Sequence, residues 1–137
     1  MNRNKPHIEM APIDLSGGWH PLAGAPAGLE VKLLADDLDE DTGSGARTRL
    51  VRFAPGAATT VPFTHSYWEE VYLLSGDMSD LARQSRHEAP VYSCRPPGTA
   101  HGPFSSSAGC LLFEIQYYRC ESPPVKARST MINCEEN

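Results

Sequence analysis

The segment HSYWEEVYLLSG, His65 to Gly76, sets an imidazole and two adjacent carboxylates immediately before an apolar run. On a strand, residues of equal parity share a face. If the bend at Ser66-Tyr67 preserves that parity, Phe63, His65, Glu69, Val71 and Leu73 point one way and Glu70, Tyr72 and Leu74 the other. An imidazole and a carboxylate four residues apart, at the entry to an otherwise apolar face, cost free energy to bury unless something pairs with them. A divalent cation is such a partner. His101 offers a third ligand, since it follows Pro96-Pro97-Gly98, a turn of the kind that aims a side chain back over a sheet. The alternative is a metal-free site in which the three groups hydrogen-bond to one another or to a ligand.

The elements that must hold these residues read as strands. A chain of 137 residues is about one ordinary domain. Twelve prolines and eleven glycines, with no sustained helical period, favour short strands and turns, so the expected class is all-β. LEVKLLA (29–35) and ARTRLVRF (46–53) alternate as strands, the second with Arg47, Arg49 and Val51 on one face and Thr48, Leu50 and Arg52 on the other. VYSCR (91–95) is a further short strand. GCLLFEIQYY (109–118) is the strongest, and its odd positions Leu111, Phe113, Ile115 and Tyr117 form an apolar face fit for a core. Residues 1–28, punctuated by Gly17-Gly18, Pro21, Gly24, Pro26 and Gly28, read as an extended arm with at most one short strand, and residues 119–137 as a tail.

Several other residue sets carry weaker chemistry. DDLDEDTGSG places Asp37, Asp39 and Asp41 like the start of a calcium loop, but Thr42 stands where that loop needs glycine and Thr48 where it needs a bidentate glutamate, so a solvated hairpin turn is expected. His7, His20 and His87 lie in polar surroundings and read as surface residues. Arg49 and Arg52 suit either a substrate carboxylate or ion pairs on the sheet surface. Tyr67 and Trp68 stand where they line a pocket mouth or simply pack. Gln116 either adds a ligand from the last strand or faces solvent. Cys94, Cys110, Cys120 and Cys134 form no CxxC pair, and four unpaired thiols are expected. A net charge of −5 without a Lys/Arg cluster argues against nucleic acid, and no apolar run is long enough to span a bilayer. MNRNKPHIEM lacks the apolar stretch of a signal peptide, which sets a cytoplasmic expectation.

Two stretches together resemble the cupin superfamily of RmlC-like proteins. PGAATTVPFTHSYWEEVYLLSG is similar to cupin motif one, with Gly56, His65, Glu69 and Gly76 in place, and PPGTAH to motif two, with Pro96, Gly98 and His101. The resemblance, over about residues 29–118, is to small single-domain cupins related to acetylacetone dioxygenase and to the cupin domain of anti-sigma factors. It implies a double-stranded β-helix, a jelly-roll barrel, as one domain over residues 1–137 with motif one at 56–76 and motif two at 96–101. The six residues between Glu69 and Gly76 match the motif and favour Glu69 over Glu70 as the ligand.

One departure bears on function. Phe63 stands where the family has the first histidine of its His-x-His pair, and phenylalanine cannot ligate a metal. The implied set is then His65, Glu69 and His101, for Fe(II) first, with Mn, Ni or Zn as alternatives. Phe63, Tyr67, Trp68 and Gln116 become the expected substrate pocket. The implied activity is dioxygenase-like, on a small oxygen-rich molecule such as a β-dicarbonyl or hydroxyaryl ketone with O₂. The alternatives are a non-catalytic small-molecule or metal-sensing module and a redox-neutral isomerase or lyase. Family habit and the 1–28 arm together suggest a homodimer.

Overall fold

The acidic turn shows how local chemistry builds the sheet. Asp39 Oδ1 accepts the backbone N–H groups of Asp41 and Thr42 at 3.0 and 3.2 Å, and Asp37 Oδ1 accepts that of Ala46 at 2.8 Å. The aspartates therefore satisfy the turn that folds β2 (Leu29–Asp36) onto β3 (Ala46–Phe53), as the hairpin reading expects. The computed structural model describes residues 5–120, so the tail from 121 onward, Cys134 and residues 1–4 lie outside the described residues.

The described chain has no helix, and its strands pair antiparallel throughout. Besides β2 and β3 these are β1 (His20–Pro21), β4 (Trp68–Asp80), β5 (Ser85–Glu88), β6 (Val91–Arg95), β7 (Phe104–Ser105) and β8 (Cys110–Tyr117). The order β1-β2-β3-β8-β4-β5, with β6 and β7 also on β4, makes β4 the hub. Its first half, to Ser75, lies between β8 and β6, and beyond Gly76 it turns to pair with β5 and β7. Gly76 takes φ +83°, and a Cβ there would meet the Gly109 carbonyl oxygen at 1.9 Å, so the bend needs glycine. The closing glycine of motif one is thus the corner between two sheets.

Register lays the interior out in cross-strand rows over β3, β8, β4 and β6. The innermost, Val51, Leu112, Leu73 and Val91, is apolar. Val51, Leu112 and Leu73 of this row form the core with Leu29, Phe53, Val71 and Phe104, each such buried side chain stabilising by roughly 1.5–3 kcal/mol, and Val91 packs half-buried against it. The next row, Arg49, Glu114, Val71 and Ser93, is mixed, and the outermost, Arg47, Gln116, Glu69 and Arg95, is polar from end to end.

This overturns the expected core face of β8. Cys110, Leu112, Glu114 and Gln116 are the buried residues, while Leu111, Phe113, Ile115 and Tyr117 are half-buried on the outside. The alternation was right and its polarity reversed: Glu114 and Gln116 each have interior hydrogen-bond partners that offset the cost of burial. A second expectation also fails. Cys94 and Cys110 are free thiols, but Cys120 is disulfide-bonded, so the four cysteines are not all unpaired.

Candidate metal centre

Two short segments outside the main strands clip the site together. Phe63 and His101 exchange both backbone hydrogen bonds, at 2.8 and 3.0 Å, and the Gly98 N–H donates to the His65 carbonyl at 2.8 Å. Gly98, at φ +80°, supplies the left-handed turn that lets residues 96–101 fold back along 63–65. The imidazoles of His65 and His101 consequently face each other with ring centroids 4.9 Å apart. Glu69, second residue of β4, points inward beneath them and is buried.

The three side chains converge. His101 Nε2 lies 3.4 Å from Glu69 Oε1 and His65 Nε2 lies 3.7 Å from Oε2, and one ligand atom from each residue falls within 4.8 Å of the others. His101 Nδ1 sits 3.1 Å from the Thr99 carbonyl, so that nitrogen donates, and in the neutral ring Nε2 turns its lone pair toward Glu69. A ligating histidine is oriented by this kind of second bond. Two imidazoles and a carboxylate on one face suit Fe(II), Mn, Ni or Zn, so the donors present fit a divalent ion.

Glu69 is held from both sides. Gln116 Nε2 donates to Oε2 at 2.6 Å and Arg95 Nη1 to Oε1 at 3.0 Å. Arg47 Nε in turn donates to Gln116 Oε1 at 2.6 Å, which makes the outermost row one hydrogen-bonded chain across four strands. Burial raises the Glu69 carboxyl, but the Gln116 hydrogen bond and electrostatic coupling to His101, Arg95 and His65 together outweigh it, and the net shift is below the ordinary glutamate value. Burial holds both His65 and His101 below the ordinary histidine value, against the opposing pull of Glu69. Both imidazoles are therefore biased toward the neutral form that a metal or a hydrogen-bonding ligand needs. Burial also pushes the Tyr67 phenol up to about 12, so it stays protonated.

A cavity of about 290 Å³ opens onto these groups, walled by Phe63, Tyr67, Arg47, Arg49 and Glu114 and floored by Val51, Phe53 and Leu112. Phe63 and Tyr67 thus stand where the sequence places them, Tyr67 stacked on His65 at 4.7 Å. Trp68 does not. It lies on the outer face, stacked on Tyr117 at 6.5 Å with the Arg119 guanidinium 4.3 Å over its ring, and it leaves the expected pocket set. Gln116 is fully buried, and it meets Glu69 instead of solvent. Glu70 turns away to accept the Tyr92 hydroxyl. Arg52 pairs with Glu30 at 3.0 Å on the sheet surface, whereas Arg49 pairs with Glu114 at 2.8 Å inside. His7, His20 and His87 are exposed. Arg47 and Arg95 were missed as site residues, although the odd parity of ARTRLVRF already put Arg47 beside Arg49.

Residues 15–117 match the ChrR cupin-like domain, and the chain belongs to that family. Among solved structures it is similar to an acetylacetone dioxygenase from Acinetobacter johnsonii, at 18% identity and TM-score 0.60, covering 85% of this chain and 80% of that one. An RmlC-like cupin from Shewanella frigidimarina is similar at 16% identity and TM-score 0.60, over 83% and 95% of the two chains. KdgF from Halomonas sp. is similar at 18% identity and TM-score 0.56, over 78% and 92%. At these identities the likeness shows the cupin fold. No curated protein matches by sequence.

Proposed function

We propose that this chain is a metal-dependent cupin enzyme of dioxygenase type, acting with O₂ on a small oxygen-rich molecule such as a β-dicarbonyl or hydroxyaryl ketone. The observation that carries the reading is the convergence of His65, Glu69 and His101 at the wall of a cavity of about 290 Å³. These residues would hold the ion, Fe(II) first among the candidates. When bound, it supplies Lewis-acid polarisation of chelating oxygens and a place for O₂ to react. The chain supplies the rest. Thr99 fixes the tautomer of His101, Arg95 and Gln116 keep Glu69 ionised and oriented, and the guanidinium groups of Arg47 and Arg49 favour an enolate over the neutral enol. Phe63, in place of a fourth ligand, makes that side of the cavity an apolar wall that excludes water.

A second reading, a non-catalytic binding barrel, also has an observation in its favour. Both Glu69 oxygens already have protein partners, and no buried side-chain polar atom among the described residues lacks one, so the hydrogen bonding of the site is satisfied without an ion. The deciding experiment is elemental analysis of protein purified without a chelating column, for wild type and for His65→Ala, Glu69→Ala and His101→Ala, followed by O₂-uptake assays with 2,4-pentanedione and a hydroxyaryl ketone. Near-stoichiometric metal that all three substitutions abolish, with substrate-dependent O₂ consumption, supports the enzyme. A wild type that stays empty after anaerobic Fe(II) loading overturns it in favour of the binding barrel, and turnover under anaerobic conditions with a redox-inert metal points to a lyase or isomerase.

The proposal extends to assembly and location. Tyr72, Leu74 and Tyr92, which are 41%, 43% and 57% exposed on the outer face of β4 and β6, support a homodimer formed through this sheet, which sedimentation equilibrium tests. No helix among the described residues is long and apolar enough to cross a membrane. A cytoplasmic location belongs to this proposal, and the Cys120 disulfide is the observation that weighs against it.

A further inference from the structure

Five charged side chains line the cavity, and their charges do not cancel: Arg47, Arg49 and Arg95 face Glu69 and Glu114. Arg95 is matched to Glu69 at 3.0 Å and Arg49 to Glu114 at 2.8 Å. Among the described residues Arg47 has no carboxylate partner. Its bonds go to neutral acceptors, Gln116 Oε1 at 2.6 Å and the Tyr67 hydroxyl at 3.4 Å. Arg49, moreover, commits only Nε to Glu114, and its two terminal nitrogens make no hydrogen bond to any described residue. Since no buried polar side-chain atom among the described residues is left without a partner, those nitrogens open onto the cavity.

We propose that the cavity takes a small carboxylate with an apolar tail, its anionic end bound between the guanidinium groups of Arg49 and Arg47 and its tail on the Val51, Phe53 and Leu112 floor. A sheltered excess of positive charge is costly unless an anion offsets it, and a monoanion closes the count for these five lining side chains. A neutral diketone leaves it open. Guanidinium groups present paired N–H donors that match a planar carboxylate. Arg47 and Arg49, two residues apart on β3, share one face and can address the same anion from adjacent rows. The volume of about 290 Å³ is at the small end of ligand cavities, which run roughly from 300 to 1,000 Å³. A short keto acid or a simple aromatic acid therefore suits it better than a nucleotide or sugar chain.

This inference narrows the substrate class of the proposed site, but it rests on the arginines and stands or falls apart from the metal. Titration calorimetry on the full chain, as purified and after chelator treatment, would compare acetoacetate with acetoacetamide and benzoate with benzamide. These pairs match in shape and differ in charge. The expected result, in both forms of the protein, is a preference of about tenfold or more for each acid over its amide. That preference should vanish in Arg47→Met and in the double variant Arg49→Met/Glu114→Leu, which removes an ion pair together and so buries no lone carboxylate. Unfolding curves establish that both variants are folded. Amides that bind as well as the acids, acids that do not bind at all, or folded variants that keep the preference would each overturn the inference. Loss of metal binding alone overturns the enzyme reading and leaves this one intact.

Discussion

Replacing Gln116 with leucine tests the physical account of the site more sharply than removing a histidine. Gln116 is completely buried and makes two hydrogen bonds to charged partners, donating to Glu69 and accepting from Arg47, both at 2.6 Å. Bonds of that type are worth a net ~1.5–3 kcal/mol each, so about 3–6 kcal/mol is at stake. Leucine fills a similar volume and regains part of this as apolar burial, by roughly 1.5–3 kcal/mol. The expected net destabilisation is ~2 kcal/mol, read as a fall of about 1 M in the urea midpoint for a slope near 2 kcal/mol/M. Because Arg47 acts through Gln116, Arg47→Met should cost much less in the Gln116→Leu background than in wild type, with a coupling of about 0.5–3 kcal/mol. A loss under about 1 kcal/mol for Gln116→Leu, or additivity of the two substitutions to within about 0.5 kcal/mol, would refute the idea of one hydrogen-bonded row.

Acidification should weaken the metal-free protein before any carboxylate titrates. Burial holds His65 and His101 below the ordinary value of 6.5 in the folded state, so as pH falls below that value the unfolded chain takes up protons first. Stability then drops by at most ~1.4 kcal/mol per pH unit for each imidazole, and the depressed Glu69 extends the loss to lower pH. Urea midpoints at successive pH values check this, and a protein that gains stability between neutrality and mild acid contradicts it. Gly76→Ala should destabilise well beyond the ~1–2 kcal/mol of a left-handed alanine, because its Cβ would collide with the Gly109 carbonyl, whereas Gly56→Ala, at φ +81° in open space, should cost only that strain. Trp68→Ala should leave ligand and metal retention unchanged, while Tyr67→Ala, which removes the ring stacked on His65, should weaken them; parallel calorimetry of the two variants separates the faces of β4.

Most of the scaffold was legible because period and punctuation suffice to define strands and corners. The two motifs identified the barrel, parity on β4 put Glu69 inside, and the aspartates of 37–41 read correctly as a turn. β8 was misread for a definite reason. Assigning its apolar parity to the core assumes an interior that repels polar groups, and here the upper half of the interior is a charged site in which Glu114 and Gln116 are compensated by Arg49, Arg47 and Glu69. That compensation comes from strands distant in sequence, so nothing local to GCLLFEIQYY announces it. Trp68 failed differently, since its neighbour Tyr67 takes the inward position and strand alternation then sends the indole out. Cys120 was misjudged because the absence of a CxxC spacing does not exclude a bridge.

The row running Arg47, Gln116, Glu69 and Arg95 sets how this chain can vary over generations. His65 and His101 hang from turns, so substitutions there remove chemistry and leave the sheet whole, as a phenylalanine at position 63 already does. The four row residues are bound to one another across strands, so a change at one strands a charge on its neighbour and selects for a second change opposite. Families built on this row should therefore lose their histidines singly and exchange the row in concert, and pairwise covariation between positions 47 and 116 and between 69 and 95 is the signature such a history leaves.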